Sequence, residues 1–293
     1  MTTGAPQSRF GRRSLWSDDA PSTPSPVGPT GCWHGRAATV SSEHPSIHHF
    51  TLAPAGGAGK RIRKGVEQSG AVRNSRSMSE QIERPGAAAW VPARADAGRL
   101  RAAAAECRGC ELWHDATQVV FSAGPASAPL MLVGEQPGDR EDLEGRPFVG
   151  PAGRLLADAV TEAGIDRKSL YVTNAVKHFR FEERGQRRIH KTPGVGHVVA
   201  CHPWLEAEVA AVAPQVILCL GATAARSVLG RPASVTKERG RVLDAPAALG
   251  PGVKVLVTNH PSAVLRMRGE AGFDDALAGL VADLRLAASH VGE

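Results

Sequence analysis

"PLMLVGEQPGDREDLEGRPFVGPAGRLLADAVTEAGI", residues 129–165, runs from an apolar segment through a glycine-rich turn into an amphipathic one. Residues 129–135 read as a strand. Pro151 stands near a helix start, where its missing N–H costs nothing, and Gly164 is suited to the helix's C-terminal cap. The same unit recurs downstream. "SLYVTNAV" (169–176), "QVILCLG" (215–221) and "VKVLVTNHP" (253–261) read as strands. "VVACHPWLEAEVAAVAP" (198–214), "ATAARSVLG" (222–230) and "FDDALAGLVADLRLAASH" (273–290) read as helices, stopped in turn by Pro214 and Gly230. Upstream, "AGRLRAAAAE" (97–106) is rich in helix formers and "TQVVF" (117–121) is strand-like. Apolar strands alternating with helices predict an α/β fold, a central parallel sheet flanked by helices on both faces. In such sheets ligands bind beyond the C-terminal strand ends. Those ends carry polar groups: Gly134-Glu135-Gln136-Pro137-Gly138, Asn174, and His260-Pro261-Ser262.

The 293 residues divide unevenly in composition. Residues 1–88 are rich in Gly, Ser, Pro, Ala and Arg without any sustained period, which predicts a disordered extension. It reads either as a basic arm adding nonspecific affinity for nucleic acid or as a dispensable addition. Residues 89–293 read as the globular domain. Of the net charge of +6, residues 1–89 hold +5 (11 basic, 6 acidic) and residues 90–293 hold +1 (24 and 23). One stretch of the globular part is nonetheless strongly basic. Residues 177–191 hold six basic side chains (Lys177, Arg180, Arg184, Arg187, Arg188, Lys191) against Glu182 and Glu183, a local +4 that suits a polyanion. No apolar run is long enough to span a membrane, and no apolar segment follows the early "GRR", so cytoplasm is the default.

Each strand end has a chemical reading and a plainer one. After residue 134, glycines let backbone approach a ligand, Glu135 or Gln136 can orient water, and Phe148 offers a stacking face; the plainer reading is an ordinary turn with a core Phe. Asn174 presents a donor and an acceptor that can read a pyrimidine edge, or it satisfies a turn. His260, at a helix N-terminus, tends to stay neutral and can donate to developing negative charge, or it merely caps. Arg266 falls one turn later on the same face. In "RRIHKT" (187–192), His190 is surrounded by positive charge, which disfavours its protonation and leaves a nucleophile, base or ligand.

The five cysteines are an odd number without a disulfide pattern. Cys107 and Cys110 form C-R-G-C, a spacing suited to metal, cluster or redox chemistry. Cys219 reads as a small buried apolar residue and Cys32 lies in the extension. Cys201 is the third candidate ligand. His178 is the best fourth, with His202 and His197 as rivals.

Taken together, "GEQPG", "GRPFVGPAG", "VTNAVK" and "HPSAVLR", in this order and with these cysteines, resemble uracil-DNA glycosylases of the iron–sulfur type over residues 100–288. "RGQRRIHKTP" is similar to the K-R-R-I-H loop of the X-type branch, whose members become covalently joined to DNA; Gln186 replaces the first lysine. The resemblance implies a 4Fe–4S cluster on Cys107, Cys110, His178 and Cys201. It implies uracil-containing DNA, preferably single-stranded, as partner, with the enzyme acting as a monomer. Gly134, Phe148, Asn174 and His260 would bind the flipped-out uracil. His260 would stabilise the leaving anion through O2, and His190 would attack the sugar. Glu135 and Gln136 would position sugar, water or histidine. Arg187, Arg188, Lys191 and Arg266 would hold phosphates, the loop cations Arg187, Arg188 and Lys191 also keeping His190 unprotonated. Open alternatives are a multiple-turnover uracil-DNA glycosylase, a noncatalytic iron–sulfur nucleic-acid-binding protein, and a C-x-x-C redox or zinc module. The absence of GxxxxGK[ST] argues against a P-loop nucleotidase.

Overall fold

The computed structural model describes residues 84–292. The predicted extension, residues 1–88, therefore lies outside the described residues as far as residue 83. Its last part is ordered: Arg84 pairs with Glu111 and Ala87 is buried.

The alternation of strands and helices is realised as a six-stranded, mostly parallel sheet. In chain order its strands are β1 (Ser122–Ala123), β2 (Leu130–Gly134) and β3 (Leu170–Asn174). After the small hairpin of β4 (Phe181–Arg184) and β5 (Arg187–His190) come β6 (Val216–Leu220), β7 (Leu243–Asp244) and β8 (Lys254–Thr258). The spatial order is β1-β3-β2-β6-β8-β7, with the four central strands parallel and the two-residue edge strands antiparallel. The helices are α1 (Ala97–Ala104), α2 (Asp139–Glu144), α3 (Pro151–Glu162), α4 (Val195–Val212), α5 (Ala222–Leu229), α6 (Val235–Glu238), α7 (Pro261–Arg266) and α8 (Phe273–Ser289).

The strands are apolar throughout because both faces are covered. Leu130, Leu132, Val172, Leu218 and Leu256 face α3, α7 and α8. Their neighbours Met131, Val133, Tyr171, Ile217 and Val255 face α4 and α5. A third cluster joins α1 and α4 around Trp204, Phe121, Cys107, Cys110 and Cys201. Each parallel connection must cross over through a helix, and the period-2 alternation of side chains divides every strand between the two layers.

From β2 the chain adds β3 on one side and later returns past it to place β6 on the other. The loops leaving β2 and β6 thus diverge at a topological switch point, where a crevice forms.

Two expectations are corrected. Residues 117–121 are not a strand. Thr117 donates its N–H to the Asp142 carboxylate, Gln118 to the carbonyls of Asp142 and Leu143, and Val120 to the Lys177 carbonyl, so pairing begins only at Ser122. The basic stretch 177–191 is not an open loop either. Residues 181–190 form an antiparallel hairpin in which Phe181 stands opposite His190 and Arg184 opposite Arg187. Its two-residue turn needs positive φ, which Gly185 supplies at 60°.

Candidate active site

A cleft of about 350 Å³ opens at the C-terminal strand ends, lined by Gln136, Phe148, Asn174, His190, His260 and Arg266 among others. Two larger depressions, of about 410 and 430 Å³, open instead around Pro129 and Gln215 at the opposite ends of the strands.

The rear wall is built by β2, β3 and the Phe148 turn. Gly134 ends β2 opposite Asn174. A Cβ at Gly134 would stand 2.3 Å from Asn174 Oδ1 and 2.7 Å from the Phe148 ring, so only glycine leaves both side chains in place. Phe148 sits at φ 56°, a left-handed backbone that a bulky residue adopts only where its surroundings force it. Asn174 is 2 % exposed, and its Oδ1 is buried without a hydrogen-bond partner among the described residues. An unmet buried acceptor of this kind costs free energy until a donor arrives.

Behind Asn174 lies the group that fixes it. Lys177 Nζ donates to the Asn174 carbonyl (2.9 Å) and Thr173 Oγ1 (2.6 Å) and forms an ion pair with Glu208. Glu208 also accepts from Tyr171 (3.0 Å) and Thr173 (2.9 Å). Burial pushes the Glu208 carboxyl upward against the pull of Lys177. Lys177 is 1 % exposed, so the sequence reading that counted it in a solvent-facing basic patch is wrong. Its place in the sequence suggested a surface cation, whereas the buried carboxylate of α4 draws it inward.

His260 caps α7. Its Nδ1 accepts from the Ser262 N–H (3.1 Å), and burial, reinforced by His190 and Arg266, depresses its pKa to about 4. The neutral ring then carries its proton on Nε2, a hydrogen-bond donor. The His260 and Phe148 rings lie 6.4 Å apart, tilted by 32°.

The front wall is the hairpin. Phe179 and Phe181 stack at 5.2 Å and anchor its base. Gln136 fixes His190: its Oε1 accepts from Arg180 N (3.2 Å), and its Nε2 lies 3.1 Å from the carbonyls of Arg180 and Lys191 and 3.0 Å from His190 Nε2. Facing an amide N–H, His190 Nε2 presents its lone pair, and the neutral ring carries its proton on Nδ1. The His190 side chain keeps 48 % of its surface, and its partial desolvation, helped by Arg266, holds its pKa below the ordinary value against the Glu135 and Glu141 carboxylates. Glu135 Oε1 is 3.8 Å from His190 Nε2.

The expected neighbouring cations do something else. Arg188 bonds Asp139 (2.7 Å) and the fully buried Asp142 (2.6 Å) while lying over the rings of Phe179 and Phe181. Lys191 pairs with Glu182. Arg187 is exposed at the hairpin turn. Arg266 is therefore the cation that helps depress His190, and "DRED" after the glycine turn is the partner set that the sequence reading missed.

Cys107, Cys110 and Cys201 are buried together as free thiols, within electrostatic reach of one another. Trp204 Nε1 donates to Cys107 Sγ (3.2 Å) and the Lys177 N–H to Cys201 Sγ (3.3 Å). Burial pushes the Cys201 thiol up to about 12. A bound cation would compensate the thiolate form. Cys219 is a core residue, as read from sequence.

His178 is buried, and its pKa falls to about 4 for that reason; Asp142, rather than a cysteine, is the charged group acting on it. Its rivals are engaged elsewhere. His197 spends Nδ1 on the Gly194 N–H (2.9 Å) and Nε2 on Glu111 (2.8 Å), and His202 lies 3.4 Å from Glu206. Among the described residues no group of three or more Cys, His, Asp or Glu is gathered around a single metal-ion position. Three buried free thiols are donors of the kind an iron–sulfur cluster takes. No described helix is long and apolar enough to cross a membrane.

Fold and cleft together define a doubly covered α/β protein with its site at the switch point of a parallel sheet. Residues 121–285 match the Uracil DNA glycosylase superfamily, and the chain belongs to that superfamily. It is 40% identical over 164 residues to the Type-4 uracil-DNA glycosylase of Thermotoga maritima, covering 56% of this chain and 80% of that protein. The Type-4 uracil-DNA glycosylase of Archaeoglobus fulgidus is 34% identical over 54% of this chain and 78% of its own length. That of Pyrobaculum aerophilum is 33% identical over 62% and 92%.

Proposed function

We propose that residues 89–293 form a uracil-DNA glycosylase of the X-type, acting in DNA repair as a soluble cytoplasmic monomer, with residues 1–88 as an extension. It excises uracil, preferably from single-stranded DNA, and joins itself to the sugar through His190. The observation that carries the reading is the buried Asn174 Oδ1, without a partner among the described residues, in the same cleft as the lone pair of a neutral His190.

Uracil offers N3–H to that oxygen and O4 to the Asn174 amide; cytosine reverses both and leaves two buried mismatches. Phe148 stacks on the base. Flipping a nucleotide out costs least where it has no partner strand, which favours single strands. As the glycosidic bond breaks, its electron pair leaves with uracil. The Nε2–H of His260 then donates to O2, where charge accumulates. The Nε2 lone pair of His190 forms the new bond to C1′. The imidazolium so formed gives its Nδ1 proton to solvent, and the uracil anion takes one. Glu135 stabilises the positive charge on sugar and ring. The neutral N-alkyl imidazole so formed is a poor leaving group, so the enzyme acts once. Arg187, Lys191 and Arg266 contact phosphates, while Arg188 holds the hairpin to α2.

Cys107, Cys110, Cys201 and His178 would hold a 4Fe–4S cluster, which would tie α1 and α4 to the end of β3 and take no part in the chemistry.

The test is a denaturing gel after incubation with uracil-containing single-stranded DNA. The wild type should give an SDS-resistant adduct. His190→Ser should give none while still releasing uracil. An adduct that survives His190→Ala overturns the assignment.

A further inference from the structure

The sequence offers no reason to single out the start of α5, yet it meets the cleft at the switch point of the sheet. Thr223 is the second residue of that helix, following Ala222 and the N-cap Gly221. Its hydroxyl donates to Glu135 Oε2 at 2.5 Å. The other oxygen of the same carboxylate, Oε1, faces His190 Nε2 at 3.8 Å. Glu135 is held at its backbone as well, its carbonyl accepting from the Val176 N–H (3.0 Å). With the backbone fixed and one carboxylate oxygen tied, the direction of the other oxygen is set.

We propose that Thr223 is a positioning residue: its hydroxyl holds the Glu135 carboxylate so that the free oxygen addresses His190. This rests on the glycosylase reading for its catalytic consequence, but the geometry concerns the resting protein. The groups facing His190 are Glu135 from the end of β2, Gln136 beside it, Glu141 from α2, His260 from the end of β8 and Arg266 from α7. Of these, Glu135 and Glu141 favour the protonated ring, and the remainder of the charged set opposes it. A carboxylate released from Thr223 turns away from His190. It then stabilises less well the positive charge that forms on the sugar and ring during transfer, and it lifts the His190 pKa less.

The experiment compares wild type, Thr223→Val and Thr223→Ser as full-length protein with its cofactor as purified. Valine matches the shape of threonine without the hydroxyl, and serine restores the hydroxyl. Three quantities are read: single-turnover rates of adduct formation and uracil release on a uracil-containing oligonucleotide; the NMR titration of the His190 ring, assigned from a His190→Gln spectrum; and thermal unfolding. For Thr223→Val we expect adduct formation slowed about tenfold, in line with loss of one hydrogen bond to a charged group. Its acidic limb and the His190 titration should both move to lower pH, with unfolding unchanged. Thr223→Ser should restore rate and titration. A wild type that releases uracil without forming adduct sinks the covalent reading, and the Thr223 effect is then read on uracil release. An inactive wild type sinks the glycosylase reading while the titration still decides the Glu135 geometry. A Thr223→Val protein with the rate and titration of wild type, or a Thr223→Ser protein that rescues neither, overturns the proposal.

Discussion

Two carboxylates with no exposed surface, Glu208 and Asp142, stand on opposite sides of the cleft, and each is met by a cation. Behind the cleft, Lys177 is as buried as its partner, and the pair is completed by Tyr171, Thr173 and the Asn174 carbonyl. In front, the Arg188 side chain keeps 19 % of its surface and reaches from the hairpin across to α2. The first arrangement lies inside the sheet and α4. The second fastens a two-stranded hairpin, an element too small to be stable alone, to the body of the domain. The same chemistry thus makes one wall part of the core and the other an attachment. On the proposed function, this would keep the base-reading amide of Asn174 still and let His190 reach the sugar.

If that contrast is right, removing the two cations should have unequal consequences. Lys177→Met leaves the buried Glu208 carboxyl without its cation, with only Tyr171 and Thr173 donating to it, and should lower global stability by about 3–5 kcal/mol, read by urea unfolding. The double variant Lys177→Met/Glu208→Leu should recover most of the loss; a single variant as stable as wild type would break the contrast. Arg188→Gln should cost less, about 1–3 kcal/mol, because the Thr117 N–H still serves Asp142. It should reduce adduct formation more than uracil release, since the hairpin carries His190 but not Asn174.

Acid sharpens the comparison from the rear wall. The folded-state pKa of His260 is about 4, against roughly 6.5 when unfolded. Between these values the unfolded chain binds a proton that the folded one refuses, so stability is lost as pH falls from 6.5 toward 4. The slope from this group is about 1.4 kcal/mol per pH unit. His260→Asn should remove that contribution from the pH dependence of the urea midpoint, and an unchanged slope would show the ring to be solvated. The smallest effect is expected at the hairpin turn. Arg187→Ala should leave stability unaltered and reduce the salt dependence of oligonucleotide binding by about one phosphate contact.

Legibility in the sequence follows the same division. The parallel sheet was readable because strands buried on both faces are apolar throughout, and glycine and proline mark where each helix begins and ends. The strand-end positions of Asn174, His260 and the Glu135–Gln136 turn followed directly from that reading. The hairpin was not readable, because its strands are four residues each and mostly charged, so neither length nor apolar pattern reveals them. Lys177 looked like a surface cation for a similar reason: its partner Glu208 is 31 residues away on another element.

What the chain's order alone determined is the set of strands and helices, and the residues that must gather at one edge of the sheet. Both depend on local periodicity and on the handed crossover of parallel strands. Tertiary structure alone decided which charges are free, which are neutralised, and which ring nitrogen of His190 and His260 carries the proton. Those properties depend on desolvation and on hydrogen-bond partners brought together from distant parts of the chain, and a charge has no fixed meaning until its surroundings are known.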